Sequence, residues 1–564
     1  MSGAHRAAPA AIARALAALT LVLALVLAAA PGDARGEDLA RMPARRGRWK
    51  IDCASPGHPI SPLVYGIGTW FRADDPQQWT LGATARRWGG NAASRYNWEL
   101  GDVWNLDHDW YFRNARVGGR PGTSYATFLA EDRAHGLRSA LVVPMIGWVA
   151  KDATSCSFPV SVFGPQRSTA FDLPDAGDGL DPGGRPLRPG PPTRTSVPST
   201  PESIGRWVAR IRRDAAAGGP TVDEYILDNE PMLWHRTHRD VHPEPVSYDE
   251  LLERTVAYAT AIRRADPGAV IAGPASWGWL GYHYSARDSE LSTRLPLDRL
   301  AHGGVPLLPW YLRTLRERER RTGVRLLDVL DVHFYPAIPA VGLGTSGAVD
   351  PAGAALRLRS TRSLWDASYR DESWIGERIR LLPLLREWVD ENAPGLGISI
   401  GEWNFGAEGH MSGGLAVAEA LGRFGQAGID SAFYWTVPPD RSPAYWAFRA
   451  YRNFDGAGGR FLDVSAPVRG DGTLASLFAS RDPARSRVVA ILLNLDPRSP
   501  IDATIDLAGC GPAGAVRAFV YGGGPDGPAP VAGVAVGPDG ALAVEAAPYT
   551  ITILEVGPGA GHGR

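Results

Sequence analysis

Between Ser61 and about Phe454, short apolar runs rich in β-branched residues alternate with longer segments of helical character. That alternation is the signature of a parallel sheet with helical crossovers. Eight strand segments can be marked: Val64–Thr69, Ala83–Gly90, Arg138–Gly147, Asp223–Pro231, Val270–Trp277, Leu327–Pro336, Gly397–Asn404 and Ser431–Val437. Thr200-Pro201 opens one helix with a capping residue and a proline in its first turn, and Gly218-Gly219 closes it. Ser247 and Glu250 form a capping box ahead of a Leu251–Ala265 helix, which Asp266-Pro267-Gly268 stops. Trp374–Asn392 reads as another helix, ended by Pro394-Gly395. Eight such units predict an α/β fold, a (β/α)8 TIM barrel over 60–455, with reactive groups at the C-terminal ends of its strands.

Two stretches break the rhythm. Residues 148–200 are rich in Pro, Gly, Asp and Arg with little periodicity, a long loop after the third strand on the reactive face. A loop of that length in a compact domain is usually functional. From about 460 the helical period disappears. Val488–Leu495, Ile501–Leu507, Val516–Tyr521, Ala541–Val544 and Thr550–Val556 alternate between Gly, Pro and Asp turns, which reads as a smaller all-β sandwich over 456–556. A strand near 47–58, including Trp49–Ile51, is a candidate to join it, and the 557–564 tail should fray.

The start of the chain is different again. Arg6 and Arg14 precede the apolar run Ala15–Ala30, followed by Pro31, Gly32 and small residues. This is the layout of a secretory signal peptide over 1–35. The run is shorter than the ~20 residues of a spanning helix, although an uncleaved anchor has the same appearance. The mature chain is expected to be secreted, off the membrane, and monomeric. Cys53, Cys156 and Cys510 are too few for a disulfide framework and lack metal-site spacing. One bridge with a free thiol, or three buried thiols, both fit. The net charge of −1 argues against an electrostatic nucleic-acid binder. The 19 tryptophans suit stacking on sugar rings, but indoles also fill cores.

The chemistry lies at strand ends. Glu230 ends the fourth strand in Tyr225-Ile-Leu-Asp-Asn-Glu-Pro231, and Glu402 ends the seventh in Ile398-Ser-Ile-Gly-Glu-Trp-Asn404. In a closed barrel these two ends face each other across the mouth. Glycoside hydrolysis needs two such carboxyls, one neutral to protonate the leaving oxygen and one charged to meet the anomeric carbon. Asn229 stands where an amide would hold a sugar 2-hydroxyl. Arg86 and Arg87 in the second strand, with His333 and Tyr335 in the sixth, supply donors at the same rim. An arginine and a tyrosine beside Glu402 would hold its pKa low, while apolar surface near Glu230 would raise that one. Trp435, at the end of the eighth strand, is a candidate floor for a sugar. Retention chemistry predicts carboxyls about 5–5.5 Å apart, against more than ~6.5 Å for inversion.

These residues carry a resemblance. Arg86-Arg-Trp-Gly-Gly-Asn-Ala-Ala-Ser-Arg-Tyr-Asn-Trp-Glu99, Asp228-Asn-Glu-Pro-Met-Leu-Trp234 with Thr237-His238 and Val241-His-Pro-Glu-Pro245, His333-Phe-Tyr-Pro336, Gly401-Glu-Trp-Asn-Phe405 and Ser412-Gly-Gly414 are similar, in order, to glycoside hydrolase family 44. The resemblance covers nearly the whole mature chain. It implies a barrel with a β-sandwich and a retaining endo-β-1,4-glucanase or xyloglucanase, with Glu230 as acid/base and Glu402 as nucleophile. The family often has Thr-Glu-Tyr where this chain has Gly401-Glu402-Trp403.

Candidate substrate contacts are Trp70, Trp98, Trp234, Trp403, Trp435 and Lys151, with Trp104, Trp110 and Trp277 also near strand ends or in loops. For Lys151 the plainer reading is a surface lysine. His235, His238 and His242 have spacings that allow a metal, but no acidic or Cys ligand accompanies them. No cofactor is expected; the long loops leave room for a structural calcium, but no ligand pattern places it. Gly522-Gly-Gly-Pro-Asp-Gly527 matches a nucleotide-loop pattern only formally, because no helix follows it. Arg313–Arg321 reads as a solvated helix face. The competing readings are a mannanase or xylanase using the same two glutamates, and an inactive carbohydrate-binding surface protein.

Overall fold

A computed structural model describes residues 42–557 apart from 70–74, 120, 291–294, 340, 343–346, 473, 508 and 511–513. The expected leader, the tail beyond 557 and Trp70 lie outside the described residues. Eight parallel strands close into a barrel: β1 (Gly66–Thr69), β2 (Ala85–Trp88), β3 (Arg138–Val143), β4 (Glu224–Leu227), β5 (Ile271–Ser276), β6 (Val329–Phe334), β7 (Gly397–Trp403) and β8 (Ser431–Tyr434). Each lies within one of the eight segments marked from the sequence. Nearly every strand residue is buried, because side chains fill the barrel on one face and meet helices on the other.

The helices that pack around the barrel include α1 (Tyr125–Ala134), α2 (Pro201–Ala216), α3 (Tyr248–Ala265), α4 (Leu307–Thr322), α5 (Leu381–Asn392), α6 (Met411–Ala427) and α7 (Pro443–Arg452), and a further helix, Pro351–Ser360, follows β6. The Thr200 side chain caps α2 by accepting from the Ser203 N–H, and Ser247 caps α3 by accepting from Glu250. α5 begins at Leu381, not Trp374. Pro383 lacks the N–H an interior position needs, so it sits in the first turn and fixes the start there. In α4, Glu319 departs from a solvated face: it is buried and accepts from the Leu326 N–H at 2.7 Å.

The 148–200 stretch is ordered by short pairings. Trp148–Ala150 runs antiparallel to Ser196–Pro198, and Thr169–Ala170 to Leu173–Gly177, over a small cluster of Cys156, Ala170 and Ala176.

The C-terminal strands form two sheets. The larger has seven strands, including Ala475–Arg481, Val488–Asn494 and Thr550–Val556. The smaller has four, and within it the N-terminal strand Arg45–Ile51 lies between Val468–Asp471 and Ile501–Asp506, parallel to the latter. Cys53 and Cys510 form a disulfide, while Cys156 is free and buried. The bridge spans 457 residues of chain, and by restricting the unfolded state it contributes roughly 2–4 kcal/mol. No helix among the described residues is long and apolar enough to cross a membrane.

Candidate active site

After β4 the chain turns through Asp228 at φ 65° and Glu230 at φ 45°. Left-handed backbone at a non-glycine residue costs on the order of 1 kcal/mol or more and persists only where its surroundings hold it. Asp228 does the holding. Its buried carboxylate accepts from the Met145 N–H, the Ser94 hydroxyl, the Ile146 N–H at 3.0 Å and the Asn229 N–H at 2.7 Å. The Glu230 N–H donates to the Ala275 carbonyl of β5 at 3.1 Å.

β7 aims its glutamate by a bulge. Val332 of β6 pairs with Ile400 and His333 pairs with Glu402, so Gly401 is an extra residue in the ladder. A Cβ on Gly401 would lie 2.5 Å from the Asp331 carboxylate inside the barrel. Two successive positions therefore face inward, and Glu402 reaches the mouth.

The two carboxylates meet over β6. Glu230 Oε1 lies 2.8 Å from His333 Nδ1. Glu402 Oε1 accepts from Arg87 Nη1 at 2.6 Å and Oε2 from the Tyr335 hydroxyl at 2.8 Å. His333 Nδ1 is also 3.6 Å from Glu402 Oε2. Ligand-capable atoms of Glu230, His333 and Glu402 all lie within 4.8 Å of one another. Arg87 Nη2 also donates to Asn229 Oδ1 at 3.0 Å, and Asn229 Nδ2 donates to Asn91 Oδ1 at 3.1 Å. Arg87 Nη2 also lies 3.4 Å from His333 Nε2.

Burial pushes Glu230 above the ordinary carboxylate range, by more than the His333 hydrogen bond pulls it down. Burial would raise Glu402 too, but the charges of His333 and Arg87 and the hydrogen bonds from Tyr335 and Arg87 outweigh it and hold that carboxyl low. Burial drives the Tyr335 hydroxyl well up, and the neighbouring carboxylates add to it, so it stays a donor.

A cleft of about 760 Å³ opens over this cluster, with Trp104, Leu106, Asp107, Asp109 and Trp110 on one wall and Trp435 among its linings. Gly89 and Gly90 shape it: a Cβ on Gly89 would strike Arg87 Nη1 at 2.3 Å, and one on Gly90 the Trp435 ring at 2.6 Å. Gly90 also has φ 79°.

Of the sequence candidates, Glu230, Glu402, Asn229, Tyr335 and Trp435 line the cleft, and Arg87 and His333 bind its carboxylates. Trp104 and Trp110 line it as well. Others do not. Trp403 is wholly buried on the barrel's outer side, against Phe424 of α6 and Phe448 of α7. Trp234 is buried edge-on to His242, and Trp98 stacks on Trp207 and bonds Ser203. Lys151 is exposed and donates to the Thr193 carbonyl at 3.1 Å. Arg86 turns away from the mouth toward Asp132, Glu131 and Gln78. Asn91, Asp107 and Asp109 are site residues without a periodic signal, since they follow the strands in irregular chain.

Among the described residues two groups could gather metal ligands: the Glu230–His333–Glu402 set, and Asp107–His108–Asp109 at the cleft edge. In the first, the Arg87 cation donates to one of the carboxylates, which opposes a second cation there. The three histidines 235, 238 and 242 do not form such a group; His242 pairs with Glu250 at 2.8 Å.

The model of glycoside hydrolase family 44 matches residues 103–338. The crystal structure of CelM2, a bifunctional glucanase-xylanase from a metagenome library, matches with TM-score 0.83 and 32% identity, over 91% of this chain and 99% of that one. A Paenibacillus polymyxa xyloglucanase of family 44, solved with xyloglucan, matches with TM-score 0.75 and 26% identity over 91% and 100%. Endoglucanase A of Paenibacillus lautus is 30% identical over 481 residues, covering 82% of this chain and 65% of that protein. This chain thus spans about two thirds of that relative. It belongs to glycoside hydrolase family 44.

Proposed function

We propose that this chain is a secreted, retaining endo-hydrolase of β-1,4-glucan chains, soluble cellulose and xyloglucan included. The observation that carries it is a pair of cleft carboxyls with opposite proton affinities and atoms within 4.8 Å of each other. Two acids that close suit retention, because inversion leaves room for a water between carboxyls at least about 6.5 Å apart.

In the proposed cycle, Glu402 attacks the anomeric carbon as the glycosidic C–O bond breaks, and Glu230 gives its proton to the departing oxygen. The product is a glycosyl ester on Glu402. Glu230, now charged, takes a proton from a water, which attacks the same carbon and frees Glu402. Asn229 has its Oδ1 and one N–H engaged by Arg87 and Asn91, leaving its second N–H for the sugar 2-hydroxyl. The cycle calls for no cofactor, and the working unit is taken to be the monomer. Endo action and the glucan backbone rest on likeness to enzymes described as an endoglucanase and a xyloglucanase. The apolar run Ala15–Ala30 supports export.

The likeness to a glucanase-xylanase favours one second reading, in which xylan is cut as well. Reducing-sugar release from xyloglucan, carboxymethylcellulose, glucomannan and xylan ranks the backbones. Trapping with a 2-fluoro glycoside should label the peptide that contains Glu402. A label on Glu230, or sugar binding without hydrolysis, overturns the reading.

A further inference from the structure

Beside the cleft-lining Trp110 stands a second exposed aromatic ring. Trp110 lines the cleft while 37% exposed, and the Phe171 ring, 83% exposed, stands edge-on to it with centroids 6.1 Å apart. Phe171 occupies the tip between the paired segments Thr169–Ala170 and Leu173–Gly177. A bare phenyl ring on an ordinary surface turn has no packing to hold it, but this tip is pinned. Asp172 accepts two hydrogen bonds from the Arg113 guanidinium, at 2.7 and 2.8 Å. The Arg113 carbonyl in turn accepts from the N–H of cleft-lining Leu106 at 2.8 Å. Beneath the tip, Leu173 and Tyr111 pack on the small core of Cys156, Ala170 and Ala176.

We propose that Phe171 is a distal sugar-binding platform, continuous with Trp110, that takes a glucosyl ring several units from the scissile bond. The idea rests on the β-glucan reading above. β-1,4-linked glucosyl rings carry their hydroxyls equatorially, so both faces present C–H groups that pack flat on an aromatic ring. The Arg113 clamp orders the tip before substrate arrives, so little freedom is lost on contact. A contact of this kind at the far end of the groove favours long chains over short ones and leaves the chemical step unchanged.

The test compares wild type, Phe171→Ala and Phe171→Trp on xyloglucan, carboxymethylcellulose and cellotetraose, with thermal unfolding as a control for folding. Phe171→Ala should raise KM on the polymers about five- to tenfold at constant kcat. It should leave cellotetraose kinetics and the unfolding temperature unchanged, and Phe171→Trp should restore the polymer KM. Equal effects on polymer and tetramer, or none on either, overturn the platform while leaving the glucanase reading intact. Wild type that hydrolyses none of the three overturns both.

Discussion

Glu230 and Glu402 share one cleft and similar burial, with side chains 15% and 7% exposed, yet their proton affinities move in opposite directions. Desolvation is the largest influence on each and raises both. What separates them is company: Glu402 receives Arg87 and Tyr335 directly, whereas Glu230 has only His333. The strand geometry differs in the same sense. Glu402 is delivered by a bulge into a ring of donors, while Glu230 stands on a strained turn whose polar support goes to Asp228. The opposite proton affinities of two identical side chains thus follow from donors within about 3 Å rather than from depth.

The sharpest way to break this comparison is to remove each carboxylate. Glu402→Gln should lower kcat on every substrate by roughly 10⁴-fold or more. Glu230→Gln should cost about 10²–10⁴-fold on polysaccharide, but much less in the glycosylation step with a dinitrophenyl cellobioside, whose leaving group needs no proton. Burst kinetics on that substrate check it; equal losses in both variants would dissolve the distinction.

The next test is pH. In the proposed cycle turnover needs Glu402 ionised and Glu230 protonated, so the rate should be bell-shaped, with limbs belonging to the coupled pair. With Glu402 lowered and Glu230 raised, the acid limb should lie below the ordinary glutamate value and the alkaline limb above it. His333 lowers both carboxyls, so His333→Gln should move both limbs to higher pH and reduce kcat about tenfold or more. Tyr335 donates to Glu402, so Tyr335→Phe should move the acid limb upward while leaving the alkaline limb nearly in place. Full pH–rate profiles separate the two. The smallest effect expected is from Trp435→Phe, a few-fold rise in KM with both limbs unmoved, since an aromatic face at the cleft lining is kept.

Much of the frame was legible because its signals are periodic. Apolar strand runs located all eight barrel strands, and the acids at two of their ends both line the cleft of the candidate site. The same two-residue period accounts for misplaced tryptophans and arginines. Trp403 follows inward-facing Glu402 and so points to the helices, and Arg86 precedes inward Arg87 and points out. Ala475–Arg481 lacked a strand signal because Leu477 and Phe478 stand side by side among small Ala and Ser residues, so no two-residue alternation appears, though the segment is almost wholly buried. Asn91, Asp107 and Asp109 lie in irregular chain, where side-chain direction depends on long-range packing that no local pattern records.

The strand Arg45–Ile51 is slotted between two strands made more than four hundred residues later. During synthesis it leaves the ribosome among the earliest described segments, yet its neighbours are among the last to emerge. The strand therefore has no partner in this sheet until the C-terminal strands are made, and the sheet closes as a clasp between the two ends of the chain. An excised barrel would leave that clasp with a missing central rib.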